Sequence, residues 1–302
     1  MRVVVTGAMG FIGRHLLVRL REDHEVFALA RDQDLVDVPD GVETIAQDLS
    51  EPLVLERLPR QVDAVVHLAQ SDFYHAFPKR VEDMVAVNVA STVRLLDYAR
   101  TAGARCFLSA STGGVYGRAE RPFVETDPAD SADFYAATRR AAELLTFSYS
   151  KLLRTVVFRF FFVYGPGQQG MLVPTLMERL VKGEEVTVQG NPGLRISPTH
   201  VSDAVRAIEA ALLGDASGVF NVAGDEATTI TQLVEIMSAV AGVEARIVHV
   251  EGDTGGIVGD NGRMKREFGV VPQISLREGL VQVASEIAAR VAATDEEAGT
   301  SG

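Results

Sequence analysis

Short apolar runs alternate with longer amphipathic stretches along the first half of the chain. Arg2–Thr6, Glu25–Ala30, Val42–Gln47, Ala64–Leu68 and Arg105–Ala110 have the length and apolar content of buried strands. The stretches from about Phe11 to Glu22 and from about Val81 to Ala102 carry apolar residues at helical spacing. Strands separated by helices predict βαβ units, and so an α/β fold: a Rossmann-type, doubly wound parallel sheet with helices on both faces. A further helix is predicted from about Phe134 to Leu153, followed by a strand over Thr155–Phe162. Past Gly165 the rhythm breaks, with Gly and Pro at 165–167, 190–193 and 198 between helices near 171–182, 201–213 and 229–241. This pattern predicts a large domain over 1–165 plus about 196–224, and a smaller C-terminal substrate-binding lobe over about 166–195 plus 225–290. Residues 291–302 are small and acidic without periodicity, which predicts a disordered tail.

Composition narrows the function classes. The chain has 302 residues, 47% hydrophobic and 23% charged, within the range of packed globular proteins. A net charge of −12 repels phosphate backbones and anionic membrane surfaces, which argues against nucleic-acid and membrane partners. The most apolar run, Thr155 to Tyr164, is interrupted by Arg159 and is too short for a membrane span. The chain passes from Met1-Arg2 directly into a strand with no export-signal pattern, so the expected location is the cytoplasm. The single cysteine, Cys106, forms no internal disulfide and lies in an apolar strand, where it reads as core. The histidines show no ligand spacing, and no metal site is expected. Of 29 basic residues only four are lysine: Lys79, Lys151, Lys182 and Lys265.

The first chemical signal is Gly7-Ala8-Met9-Gly10-Phe11-Ile12-Gly13, placed between a predicted strand and a predicted helix. Glycines there permit a tight turn, close approach of backbone to a pyrophosphate, and close packing of helix on strand; the helix N-terminus offers N–H groups to the phosphates. The next strand ends at Ala30-Arg31, where a dinucleotide fold meets the adenosine ribose. A guanidinium there suits a 2′-phosphate, so NADP(H) is the preferred cofactor with NAD(H) possible; the alternative leaves Arg31 solvated and gives the ribose to Asp32 or Asp34. Asp48, after the third strand, is placed for the adenine amino group or for capping the strand end.

With these segments in order, the chain resembles the extended short-chain dehydrogenase/reductase family, the NAD(P)-dependent epimerases, dehydratases and reductases of nucleotide sugars. The resemblance covers roughly residues 1–285. It is carried by Thr6 to Gly13, Asp48-Leu49, His67-Leu68-Ala69-Gln70, Val87-Asn88-Val89, Ser109 to Gly117 ending in Val115-Tyr116-Gly117, Tyr135 with Arg139, Val163-Tyr164-Gly165-Pro166-Gly167, and Val201-Ser202-Asp203. It implies that Gly7, Gly10, Phe11, Ile12, Gly13, Arg31, Asp48, Leu49, Leu68, Ala69, Gln70, Asn88, Tyr135, Arg139 and Val163 surround the cofactor. It places the family's substrate-side hydroxyl on Thr112 and its Tyr-x-x-x-Lys motif on Tyr135 to Arg139, and it gives His67 a structural role.

The chemistry of that motif is arguable on its own. A free tyrosine titrates near 10 and needs a neighbouring cation to act as a base at neutral pH. Residues four apart share a helix face, so Arg139 is expected to stand beside Tyr135 and lower its pKa. Tyr135 would then exchange a proton with a sugar hydroxyl or ketone held by Thr112, while the adjacent carbon exchanges hydride with the nicotinamide. Arginine in place of the family's lysine leaves three readings open: a functional replacement, an enzyme of altered rate, or an idle binding protein. The scarcity of lysine favours the first.

On the substrate side Arg195, after Gly190-Asn191-Pro192-Gly193-Leu194, resembles the family's diphosphate arginine. Two departures weaken a nucleotide-sugar reading. The family's Arg-Phe-Phe-Asn reads Arg159-Phe160-Phe161-Phe162, so Phe162 faces the substrate in place of a polar group. The Arg-Pro-Gly-Asp segment that carries a second phosphate-directed arginine corresponds to Glu251–Gly256, which lacks it; Arg263 is a candidate substitute. The leading expectation is an epimerase or ketoreductase of a nucleotide sugar. The alternatives are an NADPH-dependent carbonyl reductase acting on a substrate without a nucleotide, and a cofactor-binding protein without catalysis. The helices near 81–102 and 133–153 carry apolar residues beyond one face, and family members pair such helices, so a homodimer is expected.

Overall fold

The computed structural model describes residues 1–252 and 254–300. In chain order its elements are β1 (Arg2–Thr6), α1 (Phe11–Leu20), β2 (Glu25–Ala30), β3 (Val42–Ala46), β4 (Ala64–His67), α2 (Val81–Val85), α3 (Ser91–Thr101), β5 (Cys106–Thr112), α4 (Phe134–Ser148), β6 (Arg154–Phe160) and β7 (Val163–Tyr164). There follow α5 (Leu172–Val181), β8 (Val186–Gln189), β9 (Arg195–Ile196), β10 (Thr199–His200), α6 (Val201–Leu213), β11 (Gly218–Val222), β12 (Thr228–Thr229), α7 (Ile230–Ala241), β13 (Ile247–Val250), β14 (Gly256–Ile257), α8 (Gly262–Phe268) and α9 (Leu276–Thr300).

Seven strands form one parallel sheet in the order β11-β6-β5-β4-β1-β2-β3. Side chains alternate across a strand, so an all-apolar run such as Val3-Val4-Val5 requires cover on both faces. Val3 and Val5 pack with Leu16, Leu17 and Leu20 of α1 and with Ala204 and Ile208 of α6. Val4 points the other way, into a cluster with Leu95, Leu96 and Tyr98 of α3. The strand order reverses between β1 and β4, and the crevice beyond the C-terminal ends of these strands is where such sheets bind ligands.

A separate apolar core lies among α5, α7 and α9, with Val173, Met177, Leu233, Met237, Leu280 and Ile287 against Val186, Val188 and Ile196 of β8 and β9. Here the strands are short: β8 pairs with β13, and β9 with β12 and β14. Two helices differ from the periodicity. The helix expected over 81–102 is interrupted by a π-helical segment at Ala86–Ala90, and the helix expected to reach Leu153 ends at Ser148. The last helix runs to Thr300, over most of the segment expected to be disordered, where Ala and Glu favour helix; Ser301 and Gly302 lie outside the described residues. Among the described residues no helix is long and apolar enough to cross a membrane.

Candidate active site

The glycine turn is built as its spacing required. Gly7 adopts φ +62°, and a Cβ there would fall 2.6 Å from the Ala69 amide nitrogen, so both the left-handed backbone and the contact with the β4 loop demand glycine. Gly13 lies so close to the turn that a Cβ would stand 2.2 Å from the Gly7 carbonyl oxygen. Gly10 caps α1 without any side-chain hydrogen bond, leaving the amides of the first turn, at Phe11, Ile12 and Gly13, unoccupied by a cap. A bare ten-residue helix N-terminus behind a cradle that a Cβ would fill fits a pyrophosphate.

Around this turn the structure gathers Leu68, Ala69 and Gln70 just beyond β4, and Thr112 at the C-terminal end of β5. Asn88 is fully buried in the π-helical segment; it accepts from the Ser71 amide at 2.9 Å and donates to Thr138 Oγ1 at 3.0 Å, tying the β4 loop to α4. Such π-helical turns are frequent at functional sites. Leu49 is buried in the core with Phe27 and Leu29. Asp48 is exposed and accepts from the amide and hydroxyl of Ser50. Val163 begins β7, and its carbonyl accepts from Gln168. His67 is buried, with Nδ1 2.7 Å from Thr6 Oγ1 and Nε2 3.1 Å from Thr92 Oγ1, and burial together with Arg139 lowers its pKa to about 3. It is a neutral cross-link that ties β1 and β4 to α3.

Asp133 caps α4 by accepting from the Ala136 amide, which sets Tyr135 in the first turn. The Tyr135 hydroxyl donates to Gln70 Oε1 at 2.7 Å, and the Tyr74 ring lies 5.6 Å from the Tyr135 ring. Tyr74 in turn donates to Met171 Sδ at 2.9 Å, reaching the residue that precedes α5. Thr112 Oγ1 accepts from the Gly114 amide at 3.1 Å.

Arg139 corrects one expectation. Its side chain is 2% exposed, Nη1 donates to the Ala69 carbonyl at 3.1 Å, Nη2 donates to the Ala110 carbonyl, and Nε is buried without a partner. The planar fork thus fastens the ends of β4 and β5 together, a task its geometry suits better than an ammonium would. The phenol of Tyr135 is raised rather than lowered: burial pushes it up, Arg139 pulls it down, and Tyr74 and Asp133 push it up further.

Three residues escaped the sequence reading. Glu143 lies one helical turn beyond Arg139, accepts from Ser111 Oγ at 2.6 Å, and forms a two-pronged buried pair with Arg159 at 2.9 and 2.6 Å. Burial works against its charge, but Arg159, Ser111 and Arg140 hold its carboxyl below the usual range. Its spacing from Tyr135 and Arg139 along one helix face was the available signal. Tyr74 and Asp72, in the loop after β4, had none.

Arg31 is already paired with two carboxylates. Its Nε donates to Asp34 at 2.5 Å and its Nη2 pairs with Asp72 at 2.9 Å. On the substrate side Phe162 holds φ +42°, a left-handed backbone that is uncommon for a bulky residue and easier for asparagine. Arg195 lies exposed in β9 between β12 and β14, with no side-chain hydrogen bond or ion pair among the described residues. Arg263 cannot replace the missing phosphate arginine, because it donates to the carbonyls of Ser217 and Val219 at the start of β11, the opposite end of the sheet. Of the segment 251–256, Asp253 lies outside the described residues. Among the described residues no three His, Cys, Asp or Glu side chains gather to hold a metal ion.

A family model described as the NAD dependent epimerase/dehydratase family matches residues 3–223, from β1 through β11. The chain belongs to that enzyme family. The extended short-chain dehydrogenase/reductase resemblance and the Rossmann-like sheet expected from the strand pattern both stand. UDP-glucuronic acid decarboxylase 1 of Arabidopsis thaliana, a relative within this similarity, is 30% identical over 98% of this chain and 72% of its own length. Among solved structures, MoeE5 in complex with UDP-glucuronic acid and NAD is 29% identical with a TM-score of 0.85, covering 96% of this chain and 100% of that one. The Thermus thermophilus UDP-glucose 4-epimerase in complex with NAD is 27% identical with a TM-score of 0.82, covering 95% of this chain and 99% of that one. These family members were solved with NAD, which removes the support for an NADP preference, as do the two carboxylates on Arg31.

Proposed function

We propose that this family member is an NAD-dependent enzyme of a UDP-sugar, with UDP-glucuronic acid the first substrate to test, and that it acts by epimerisation or by oxidation coupled to decarboxylation. The observation that carries the reading is the placement of Tyr135, Gln70 and Thr112 around the ends of β4 and β5, beside an uncapped glycine turn. Bound NAD supplies the hydride acceptor. Tyr135 exchanges the proton of the sugar hydroxyl being oxidised, Thr112 holds the same oxygen, and Arg139 fixes the strand ends that position both. Arg139 is therefore a replacement of the family lysine in an active enzyme. Arg195 takes the substrate diphosphate in the lobe over about 166–195 plus 225–290.

A second reading, a carbonyl reductase acting on a substrate without a nucleotide, is favoured by Phe162 in place of asparagine and by the absence of arginine from residues 251–256. Incubation with NAD and UDP-glucuronic acid, and separately with UDP-glucose, followed by proton NMR of the sugar, decides between them. A changed sugar without net consumption of NAD supports the first reading. No change with either UDP-sugar, together with hydride transfer from NADH or NADPH to simple ketones in a separate incubation, supports the second.

Val85 and Val93 on the α2–α3 face and Leu144 on α4 are 43%, 39% and 55% exposed, an apolar surface suited to pairing two copies. The expected assembly is a homodimer, and a monomeric mass in light scattering at micromolar concentration overturns it. The buried, unbridged thiol of Cys106 fits the reducing conditions of a cytoplasmic location.

A further inference from the structure

We propose that the side-chain amide of Gln70 is a catalytic group, which holds the Tyr135 oxygen in both of its protonation states and does by contact what residue 139 does only through space. The inference rests on the reading of Tyr135 as the acid/base and adds a residue to it. A tyrosine that exchanges a proton is served by a neighbour that accepts from its O–H form and donates to its O⁻ form. Arg139 does not supply that contact. Two of its nitrogens donate to the carbonyls of Ala69 and Ala110, and its Nε is buried without a partner. Its charge favours the phenolate, yet among the described residues the hydrogen-bond partner of the Tyr135 hydroxyl is Gln70, at 2.7 Å.

The backbone of Gln70 is pinned on both sides. Ahead of it the Ala69 carbonyl accepts from Arg139 at 3.1 Å, and the Ala69 amide donates to Thr6 Oγ1 at 3.4 Å. Behind it the Ser71 amide donates to Asn88 Oδ1 at 2.9 Å, and Ser71 Oγ donates to Asp83. The side chain between these anchors is exposed and makes no other hydrogen bond among the described residues, so it can turn while its origin stays fixed. A primary amide carries an acceptor oxygen and a donor NH2 on one carbon, and a half-turn exchanges them. With Tyr135 protonated, Oε1 accepts from the phenol, which is the arrangement of the structure. Once the phenol has given its proton to solvent, Nε2 donates to the phenolate. When the sugar hydroxyl is oxidised, its proton passes to that phenolate, its carbon loses hydride to NAD, and the amide turns back. Gln70 itself neither gains nor loses a proton. A hydrogen bond to an anion is roughly twice as strong as one between neutral groups, so the two contacts together favour the phenolate.

The test follows the ionisation of Tyr135 itself. In the full-length protein with NAD present, every tyrosine is replaced by difluorotyrosine, whose phenol ionises at lower pH; fluorine NMR then follows each ring, and Tyr135→Phe identifies the resonance. Gln70→Ala is expected to move the ionisation of residue 135 upward by about 0.5–1 pH unit, the difference between a charged and a neutral hydrogen bond. Gln70→Glu, whose carboxylate accepts but does not donate, is expected to move it further. Turnover of UDP-glucuronic acid or UDP-glucose by the unlabelled protein gives the second readout. In Gln70→Ala the rate at pH 7 is expected to fall about three- to tenfold and to recover as pH rises, by the same displacement. An ionisation that stays or falls in Gln70→Ala, or a loss of rate equal at every pH, overturns the role of Gln70 and leaves Tyr135 standing as the acid/base. If neither UDP-sugar reacts, the substrate reading fails, and the ionisation measurement alone decides Gln70.

Discussion

The two walls of the crevice differ in what defines them. The proposed dinucleotide wall is made largely of backbone: Gly7 and Gly13 at contacts that exclude a Cβ, an uncapped helix end, and the carbonyls of Ala69 and Ala110 held by Arg139. The proposed substrate wall is made of side chains: Tyr74 against Tyr135, Phe162 in a left-handed backbone, and Arg195 without a side-chain partner among the described residues. Backbone geometry permits few solutions, so the first wall keeps the family's form even where a key residue has changed. Side chains are exchanged at lower cost, so the second wall is where substrate preference is expected to depart. Family membership therefore transfers the cofactor more securely than the sugar.

The largest effect that would break this comparison lies at their junction. Tyr135→Phe removes the only proposed acid/base and is expected to lower turnover about a thousandfold or more while NAD affinity stays within a few fold. Steady-state rates and a binding titration on the same preparation read both quantities. A rate within tenfold of wild type would move the proton transfer to another group, with Tyr74 the first to examine.

The next effect tests whether Arg139 belongs to the backbone wall. Arg139→Met leaves the carbonyls of Ala69 and Ala110 without their donor, at a cost of about 2–4 kcal/mol for two buried acceptors. Arg139→Lys should fall between, because one ammonium cannot reproduce the fork. Urea unfolding gives the order wild type, Lys, Met. If Lys equals or exceeds the wild type, the strand clamp is not what arginine is there for.

His67 gives the same wall a pH signature. Its folded-state pKa is depressed from 6.5 to about 3, so below 6.5 the unfolded chain binds a proton that the folded chain refuses. Stability is full at high pH and falls as pH drops. Between pH 7 and pH 5 the loss from this one group is about 2 kcal/mol, and His200, also lowered by burial, adds in the same direction. The carboxylates held low, Glu143 and Asp127, lose their contributions only at more acid pH. Urea midpoints at pH 7 and pH 5, compared with those of His67→Asn, isolate the effect as a flatter profile in the variant.

What the sequence made legible follows the same division. The glycine turn, the strand alternation of Val3-Val4-Val5 and the helix start before Tyr135 could be read because each demand is local: a φ of +62° at Gly7, a period of two, a cap at Asp133. Arg139 could be placed but its work could not, since its acceptors are backbone carbonyls at the ends of two other strands. The pairing of Arg31 could not be read for the same reason, Asp72 being distant in sequence and adjacent only through the sheet order. The π-helical segment around Asn88 leaves the apolar periodicity almost intact and so left no trace.

The smallest effect is the sharpest probe of the substrate wall. Phe162 is partly buried against two apolar clusters, so shortening it loses packing worth about 1 kcal/mol or somewhat more for a half-covered ring. Its φ of +42° costs a β-carbon-bearing residue about 1–2 kcal/mol, of which asparagine recovers part because it visits this region readily. In Phe162→Asn the two terms nearly cancel, and its stability should lie within about 1 kcal/mol of wild type. Phe162→Ala loses the packing and keeps the strain. The difference between the two variants therefore isolates the backbone: Asn should be more stable than Ala by about 0.5–1 kcal/mol, roughly 1–3 °C in midpoint for a chain of this size. Equal midpoints would mean that the left-handed turn is not strained. If asparagine also tightens UDP binding relative to wild type, the substrate wall differs from the family at this one side chain; if it does not, the difference extends to the segment over 251–256.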